Sequence, residues 1–121
     1  MGLKLVGTVV QGRGEGRTTG YPTANLALVP GVERPVPGIY ACWVFYQGQR
    51  HPGALVSGVH WEEKQPRIEV HLIGYVGDLY GQVLELEVMV RIRDTMELVD
   101  LTSLQQRIAD DIVAVRTALG L

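Results

Sequence analysis

The chain has 121 residues, of which 46% are hydrophobic and 20% charged, an ordinary composition for one globular domain with a single core. A formal net charge of −2 provides no broad positive surface, so nucleic acid is not an expected partner, and the single cysteine excludes an internal disulfide. No stretch approaches the roughly 20 apolar residues that a membrane span requires, so no membrane association is expected. We therefore expect one cytoplasmic, monomeric domain over residues 1–121.

The first half of the chain carries the signals of four short β-strands separated by loops. The predicted strands cover residues 3–10, 23–28, 38–46 and 50–57. In the first of them, Leu3, Leu5 and Val9 lie on one face because strand side chains alternate. Three prolines and two glycines in residues 29–38 predict a connecting loop before the third strand.

The second half of the chain shows a clearer alternation of apolar and polar residues. From residue 67 onward this alternation predicts a fifth strand, whose polar face carries Glu69 and His71. Residues 83–92 predict a sixth strand. One face of that strand carries Leu84, Leu86, Val88 and Val90.

Residues 101–119 change to the period of a helix. Apolar residues recur there at helical spacing, and Asp100 or Thr102 can cap the start of the helix. Six or so short strands followed by one helix predict an all-β fold with one C-terminal α-helix, in which the helix closes an antiparallel barrel.

The stretch 12–25 carries the clearest signal of a binding site. Its four glycines in the first nine residues are Gly12, Gly14, Gly16 and Gly20. Because glycine has no Cβ, such a loop can adopt positive φ and let its backbone N–H groups approach an anion closely. Arg17 adds a planar, permanently charged guanidinium for phosphate oxygens. A flexible hairpin loop is the alternative interpretation of the glycines alone.

Beside the glycines, Pro22 fixes the backbone that leads into Thr23 and Asn25. Because they are two residues apart, Thr23 and Asn25 project from the same face if they begin a strand. A hydroxyl and an amide oxygen on one face are suitable ligands for Mg²⁺, which keeps waters and substrate phosphates as its other ligands. The sequence therefore predicts a phosphate-binding loop with a magnesium site beside it.

The segment 9–26 closely resembles the opening signature of the riboflavin kinase (flavokinase) family, which in many bacteria is the kinase half of a bifunctional FAD synthetase. The resemblance continues at residues 38–41, 68–72, 77–81 and 91–93, and so covers nearly the whole chain. It implies a six-stranded antiparallel Greek-key barrel with one helix packed outside. It also implies Mg²⁺-dependent transfer of the γ-phosphoryl group of ATP to the ribityl 5′-hydroxyl of riboflavin, giving FMN and ADP.

The resemblance also implies roles for individual residues. Glu69 would be the general base that takes the proton of the riboflavin hydroxyl, and Thr23 and Asn25 would hold Mg²⁺. The residues that bind the nucleotide, its phosphates or the flavin would be Gly12, Gly14, Gly16, Arg17, Gly20, Pro22, Thr23, His71 and Arg93. Considered without the resemblance, Glu69 is a solvated side chain of an alternating strand, and His71 makes a structural hydrogen bond or pairs with Glu69.

Three departures from the family pattern lie toward the flavin side of the expected site. They are the region 56–63, Gly74 in place of an aspartate, and Leu98 in place of a phenylalanine. These departures leave two alternatives to a riboflavin kinase. One is a non-catalytic flavin- or nucleotide-binding module on the same barrel, and the other is a kinase for a different small alcohol.

Overall fold

A computed structural model describes residues 2–11, 21–59, 66–95 and 100–121 of the chain. Its elements are β1 (Leu3–Val10), β2 (Ala24–Leu28), β3 (Gly38–Tyr46), β4 (Gln49–Val59), β5 (Pro66–Leu72), β6 (Val83–Arg93) and α1 (Leu101–Ala118). The strands close into a barrel in the order β1-β2-β5-β4-β3-β6, and all neighbouring strands are antiparallel. The predicted barrel with one C-terminal helix is confirmed.

The connection from β2 to β3 gives the barrel its Greek-key topology. Strands β3, β4 and β5 follow one another as neighbours, whereas β2 lies beside β5, on the far side of that group from β3. The connecting loop covers residues 29–37, close to the predicted 29–38. Strand β4 extends beyond its predicted limits of 50–57 at both ends.

This loop is attached to the barrel by side chains of three strands. The hydroxyl of Ser57 donates to the carbonyl of Pro35 at 2.8 Å, that of Tyr40 to Val36 at 2.6 Å, and the guanidinium of Arg91 to Pro37 at 2.8 Å. Two of these donors point into the barrel, because Ser57 is fully buried and Tyr40 belongs to the interior cluster. The loop therefore closes one end of the barrel.

Inward-facing side chains fill the barrel interior. Among the largest that are almost completely buried are Leu5, Val44, Leu55, Ile68, Val70, Leu84 and Leu86. They form one continuous cluster, which also contains Cys42. Burial raises the pKa of the Cys42 thiol, so this group stays protonated and unreactive at neutral pH.

The helix α1 covers the outer faces of β3, β4 and β6. Ala41 and Ala54 lie beneath it and pack with Val115. The carboxylate of Asp100 accepts a hydrogen bond from the Ser103 N–H at 2.7 Å, which caps the helix and lowers the pKa of Asp100. Of the two predicted caps, Asp100 is thus confirmed. Over the described ranges, no helix has both the length and the apolar character that crossing a membrane requires.

Strand β6 departs from its prediction because its register against β3 shifts twice. At the first shift, Val88 pairs with Cys42 and Val90 with Ala41, so Met89 is an extra residue in β6. Val88 is 6% exposed, whereas Val90 is 42% exposed. The expectation that Val90 continues the apolar face of the strand is therefore wrong, because this bulge interrupts the alternation.

The second shift turns the end of β6 toward the helix. Arg91 pairs with Tyr40 and Arg93 with Ile39, so Ile92 is the extra residue. Tyr40 faces the interior cluster, and Ile39, its neighbour along the strand, therefore faces outward together with Arg93. Ile92 packs against the small apolar cluster beneath α1.

Candidate functional site

Asn25 and Glu69 lie directly opposite each other on the neighbouring strands β2 and β5. Leu26 and Val70, which follow them in sequence, belong to the interior cluster. Because strand side chains alternate, Asn25 and Glu69 both face outward. Residues directly opposite on antiparallel strands have Cβ atoms about 5 Å apart. The predicted metal ligand and the predicted general base are therefore close enough to act on one bound ligand.

His71 contacts the chain that leads into β2. Its Nδ1 atom lies 2.8 Å from the carbonyl oxygen of Pro22. A carbonyl only accepts hydrogen bonds, so Nδ1 carries the hydrogen and donates it. The ring of Tyr21 packs edge-on against the imidazole, with ring centroids 5.8 Å apart. Thr23 therefore lies between this anchored contact and Asn25.

The structure brings together five of the residues predicted for the site. They are Pro22, Thr23, Asn25, Glu69 and His71, and we call the outer surface that they occupy the β2–β5 strip. On the β4 side of the strip, Ala54 pairs with His71 and packs beneath the helix α1. The helix therefore borders the strip on that side.

On its other side, the β2–β5 strip borders β1, whose last residue, Val10, pairs with Asn25. The glycine-rich stretch leaves the end of β1 and returns at Tyr21, which contacts His71. Gly12, Gly14, Gly16, Arg17 and Gly20 lie outside the described residues, and their contacts with phosphate remain a prediction. Both ends of the stretch nevertheless lie beside residues of the strip.

A turn at residues 77–81 is attached to the same end of β1. The carboxylate of Asp78 accepts a hydrogen bond from the Tyr80 N–H at 2.9 Å, and Leu79 is buried in the barrel. The N–H of Gly81 donates to the carbonyl of Val9 at 2.9 Å. The turn 77–81, one of the segments that resemble the family, is therefore bonded to the end of β1, after which the glycine-rich stretch begins.

The oxygen donors of the β2–β5 strip suit a magnesium–nucleotide complex. Asn25 has an amide oxygen, Thr23 a hydroxyl and Glu69 a carboxylate, all of them hard donors. No group of three His, Cys, Asp or Glu side chains that could hold a metal occurs within residues 2–11, 21–59, 66–95 and 100–121. Mg²⁺ does not need such a group, because it commonly takes one or two protein ligands and completes its shell with water and phosphate oxygens.

Arg93 lies away from the β2–β5 strip. Around the closed barrel, β4 and β3 lie between β6 and β5 on one side, and β1 lies between β6 and β2 on the other. The Arg93 side chain forms a bidentate ion pair with Asp111, in which Nε and Nη2 each lie 2.8 Å from a carboxylate oxygen. Its Nη1 donates to the carbonyl of Asp94 at 2.8 Å. These contacts attach β6 to α1, and contact of Arg93 with the flavin stays a prediction.

No role was predicted for Asp111, although the sequence carried a signal for it. Asp111 is only 7% exposed, and it lies three residues after Ile108 and four before Val115 on the apolar face of α1. A carboxylate at such a position indicates a buried ion pair. The bond between His71 and Pro22 has no comparable signal, because 49 residues separate its partners.

Known proteins include clear relatives of this chain. The profile of the flavokinase family, described as riboflavin kinase, matches residues 2–119. The bifunctional riboflavin kinase/FMN adenylyltransferase of Escherichia coli (strain K12) is 35% identical over 125 residues, covering 97% of this chain and 38% of that protein. An RNA-binding riboflavin kinase of Bacillus subtilis (strain 168) is 31% identical over 115 residues, covering 92% of this chain and 49% of that protein. The chain thus spans less than half the length of both relatives.

Solved structures share the same fold. The riboflavin kinase from Trypanosoma brucei superimposes with a TM-score of 0.73 at 26% identity, over 98% of this chain and 80% of that one. A macrolide-efflux protein from Streptococcus pneumoniae superimposes with a TM-score of 0.89 at 32% identity, over 95% of this chain and 38% of that one. These two proteins have different names but share one fold, so the fold alone does not identify the function.

Proposed function

Because this chain belongs to the riboflavin kinase family, we propose that it transfers the γ-phosphoryl group of ATP to the ribityl 5′-hydroxyl of riboflavin, giving FMN and ADP. The observation that carries the proposal is the direct pairing of Asn25 with Glu69 on the outer face of the barrel. This pairing supports one surface on which a nucleotide phosphate and an acceptor hydroxyl meet. The two alternative functions have no such observation in their favour.

In the proposed reaction, Glu69 accepts the proton of the 5′-hydroxyl while the hydroxyl oxygen attacks the γ-phosphorus. The bond between the γ-phosphorus and the bridging oxygen breaks, and ADP leaves with that oxygen. Phosphoryl transfer asks a protein mainly for positioning, for neutralisation of charge and for a group that orients the nucleophile. A carboxylate on a rigid strand, held opposite Asn25, supplies the last of these.

Thr23 and Asn25 would hold Mg²⁺ in this proposal. The bound ion would neutralise charge on the transferred phosphate. We propose that Gly12, Gly14, Gly16, Gly20 and Arg17 bind the phosphates, and that Pro22 shapes the entry to Thr23. Flavin contact by Arg93 is also proposed, in addition to the ion pair that it makes with Asp111.

We further propose that residues 1–121 act as one monomeric domain in the cytoplasm, without a nucleic-acid partner. The formal net charge of −2 supports the last point, because nucleic-acid binding needs a concentrated positive surface. RNA binding is named for one relative and is not carried over to this chain.

The test is a direct assay of the purified protein with riboflavin, ATP and Mg²⁺, in which FMN is separated and quantified by fluorescence. We expect FMN formation that depends on both ATP and the metal ion. For Glu69→Gln we expect kcat to fall by roughly 10²-fold or more, the usual scale for loss of a general base, while Mg·ADP binding is retained.

Glu85→Gln is the matched control, because Glu85 is an exposed strand glutamate on β6, opposite Val6 of β1 and Phe45 of β3. Its kcat should stay close to that of the wild type. Near-normal turnover of Glu69→Gln would remove Glu69 from the mechanism. Binding of riboflavin and ADP without FMN formation would favour the non-catalytic module, and phosphorylation of another alcohol would favour the second alternative.

A further inference from the structure

We propose that His71 is a positioning residue, whose Nδ1–H holds the Pro22 carbonyl and thereby fixes Thr23 and Asn25 against β5. This inference rests on the proposed function, because Thr23 and Asn25 are the proposed ligands of Mg²⁺. It differs from the expectation that His71 binds the nucleotide directly. Three observations carry it: the register of β2, the hydrogen bond itself and the packing of Tyr21.

The register shows that the ladder between β2 and β5 is short and stops before Thr23. Within the described residues, β2 has four register pairs with β1 but only two with β5, Ala24 with Val70 and Asn25 with Glu69. Continued by one residue, this register would place Thr23 opposite His71. No backbone pair is formed there, so Thr23 lies just beyond the ladder, whereas Asn25 is paired with Glu69 within it.

At this point the side chain of His71, and not the backbone, holds the chain that leads into β2. Its Nδ1 lies 2.8 Å from the carbonyl oxygen of Pro22, the residue immediately before Thr23. Pro22 has no N–H, so its carbonyl is the one backbone group through which it can be held. The bond therefore extends the attachment of β2 to β5 beyond Ala24, by a side chain instead of the backbone.

The imidazole is itself held from the same segment. Tyr21 packs edge-on against the ring, with the two planes at 87°. Tyr21 and Pro22 thus contact His71 from adjacent positions in the chain. On the opposite side, Ala54 pairs with His71 on β4 and packs beneath α1. His71 therefore joins the entry of β2, through its ring, to the part of the barrel that carries the helix, through its backbone.

The neutral ring then has one defined tautomer. Because Nδ1 donates to the carbonyl, Nε2 is the unprotonated nitrogen. A direct contact with the nucleotide would use Nε2 and would leave the Pro22 bond without a necessary role. The two roles of His71 therefore depend on different ring nitrogens and can be separated by substitution.

The test compares His71→Asn with His71→Gln in steady-state kinetics. The asparagine amide nitrogen can occupy the position of Nδ1, whereas the glutamine amide nitrogen reaches toward the position of Nε2. We expect His71→Asn to keep the KM for Mg·ATP within about threefold of the wild type, and His71→Gln and His71→Ala to raise it about tenfold. The KM for riboflavin should change much less, because the anchored segment carries the metal ligands.

A KM for Mg·ATP close to that of the wild type in His71→Gln but not in His71→Asn would overturn the proposal in favour of direct contact through Nε2. An equal rise of both KM values in all three variants, together with lower melting temperatures, would overturn it in favour of a general structural role. The wild-type protein offers a test that no folding defect can affect. Long-range ¹H–¹⁵N NMR spectra should show the Nδ1–H tautomer of His71, and an Nε2–H tautomer would contradict the proposal.

The NMR spectrum and calorimetric binding of Mg·ADP separate this inference from the proposed function. If the wild type forms no FMN, the proposed function fails. The inference still stands in that case if His71 is the Nδ1–H tautomer and if His71→Gln, but not His71→Asn, weakens Mg·ADP binding. If FMN forms but Mg·ADP binds equally well to both variants, the inference fails alone.

Discussion

Asn25 and Glu69 lie directly opposite each other on the neighbouring strands β2 and β5, so that an amide faces a carboxylate. An amide adds an oxygen donor to the site without adding a second negative charge. A carboxylate at position 25 would bind a cation more strongly, but like charges directly opposite on antiparallel strands are destabilising. The pairing therefore combines the proposed metal ligand with a proposed base that its neighbour does not repel.

Removal of the amide should act on the metal dependence of the reaction. For Asn25→Ala we expect the Mg²⁺ concentration for half-maximal activity to rise at least about tenfold, since even loss of an indirect partner of a metal ligand has that effect. The measurement is a Mg²⁺ titration of FMN formation at saturating riboflavin. An unchanged titration would show that Asn25 is not a ligand.

Asn25→Asp should lower the melting temperature without Mg²⁺ and recover it when Mg²⁺ and ADP are added. Ala27→Asp is the control, because Ala27 is exposed at the next outward position of β2 and pairs with Thr8 of β1. Addition of Mg²⁺ and ADP should raise its melting temperature only as much as that of the wild type.

Among the elements, β6 is the strand that connects the barrel to the helix. Its two bulges turn Ile92 and Arg93 toward α1, where Arg93 meets Asp111. The two side chains of the pair are 20% and 10% exposed. Loss of either side chain would leave the other charge unpaired at a largely buried position, and this would destabilise the fold.

The helix offers a matched pair of aspartates for testing this connection. Asp111→Ala should lower the free energy of unfolding by about 3 kcal/mol, because it leaves the Arg93 guanidinium without its partner. Asp110→Ala should cost only about 0.5 kcal/mol or less, because exposed Asp110 accepts a hydrogen bond from Gln106 one turn away. Urea unfolding followed by circular dichroism measures both, and equal effects would contradict the role given to Asp111.

A double variant separates the structural role of Arg93 from its proposed contact with the flavin. Arg93→Met combined with Asp111→Leu removes both charges together and should recover most of the stability. If Arg93 also contacts the flavin, the affinity for riboflavin stays reduced in this stable protein. Normal affinity would limit Arg93 to the ion pair.

For the whole molecule, the filled interior determines where a ligand can bind. The barrel is packed with side chains and closed at one end by the loop 29–37, so we expect substrates to bind on its outer surface. The helix covers the outer faces of β3, β4 and β6. The β2–β5 strip lies beyond this cover, and this accounts for the position of the candidate site.

Gly53 tests how completely the interior is filled. A Cβ at Gly53 would lie 2.9 Å from Cys42 Sγ and from Val44 Cγ2, and 3.0 Å from Val70 Cγ2. Gly53→Ala should therefore destabilise the protein by about 1–3 kcal/mol. Gly58→Ala on the same strand is the control, since its nearest neighbour would lie at 3.9 Å and its effect should be small. Denaturant unfolding with an unchanged slope is the measurement, and a tolerated alanine at position 53 would contradict a filled barrel.

The sequence by itself determined the elements of this fold. Alternation predicted β1, and enrichment in β-branched and aromatic residues predicted β3, both with their observed ends. Helical spacing, with Asp100 or Thr102 as the cap, predicted α1. These signals are local, because backbone geometry sets the period of side chains within one element. The types of residue at 23 and 25 likewise suggested oxygen ligands for Mg²⁺ before any pairing was known, whereas the role of Glu69 came from the resemblance to the family.

The tertiary structure alone decided which of these residues meet. Asn25 faces Glu69, His71 holds Pro22 and Arg93 pairs with Asp111 because strands and helix distant in sequence pack in one register. The bulge at Met89, which turns Val90 outward, has the same origin. Register is selected by the packing of the whole interior and by contacts between strands, and no periodicity within a single segment contains that information.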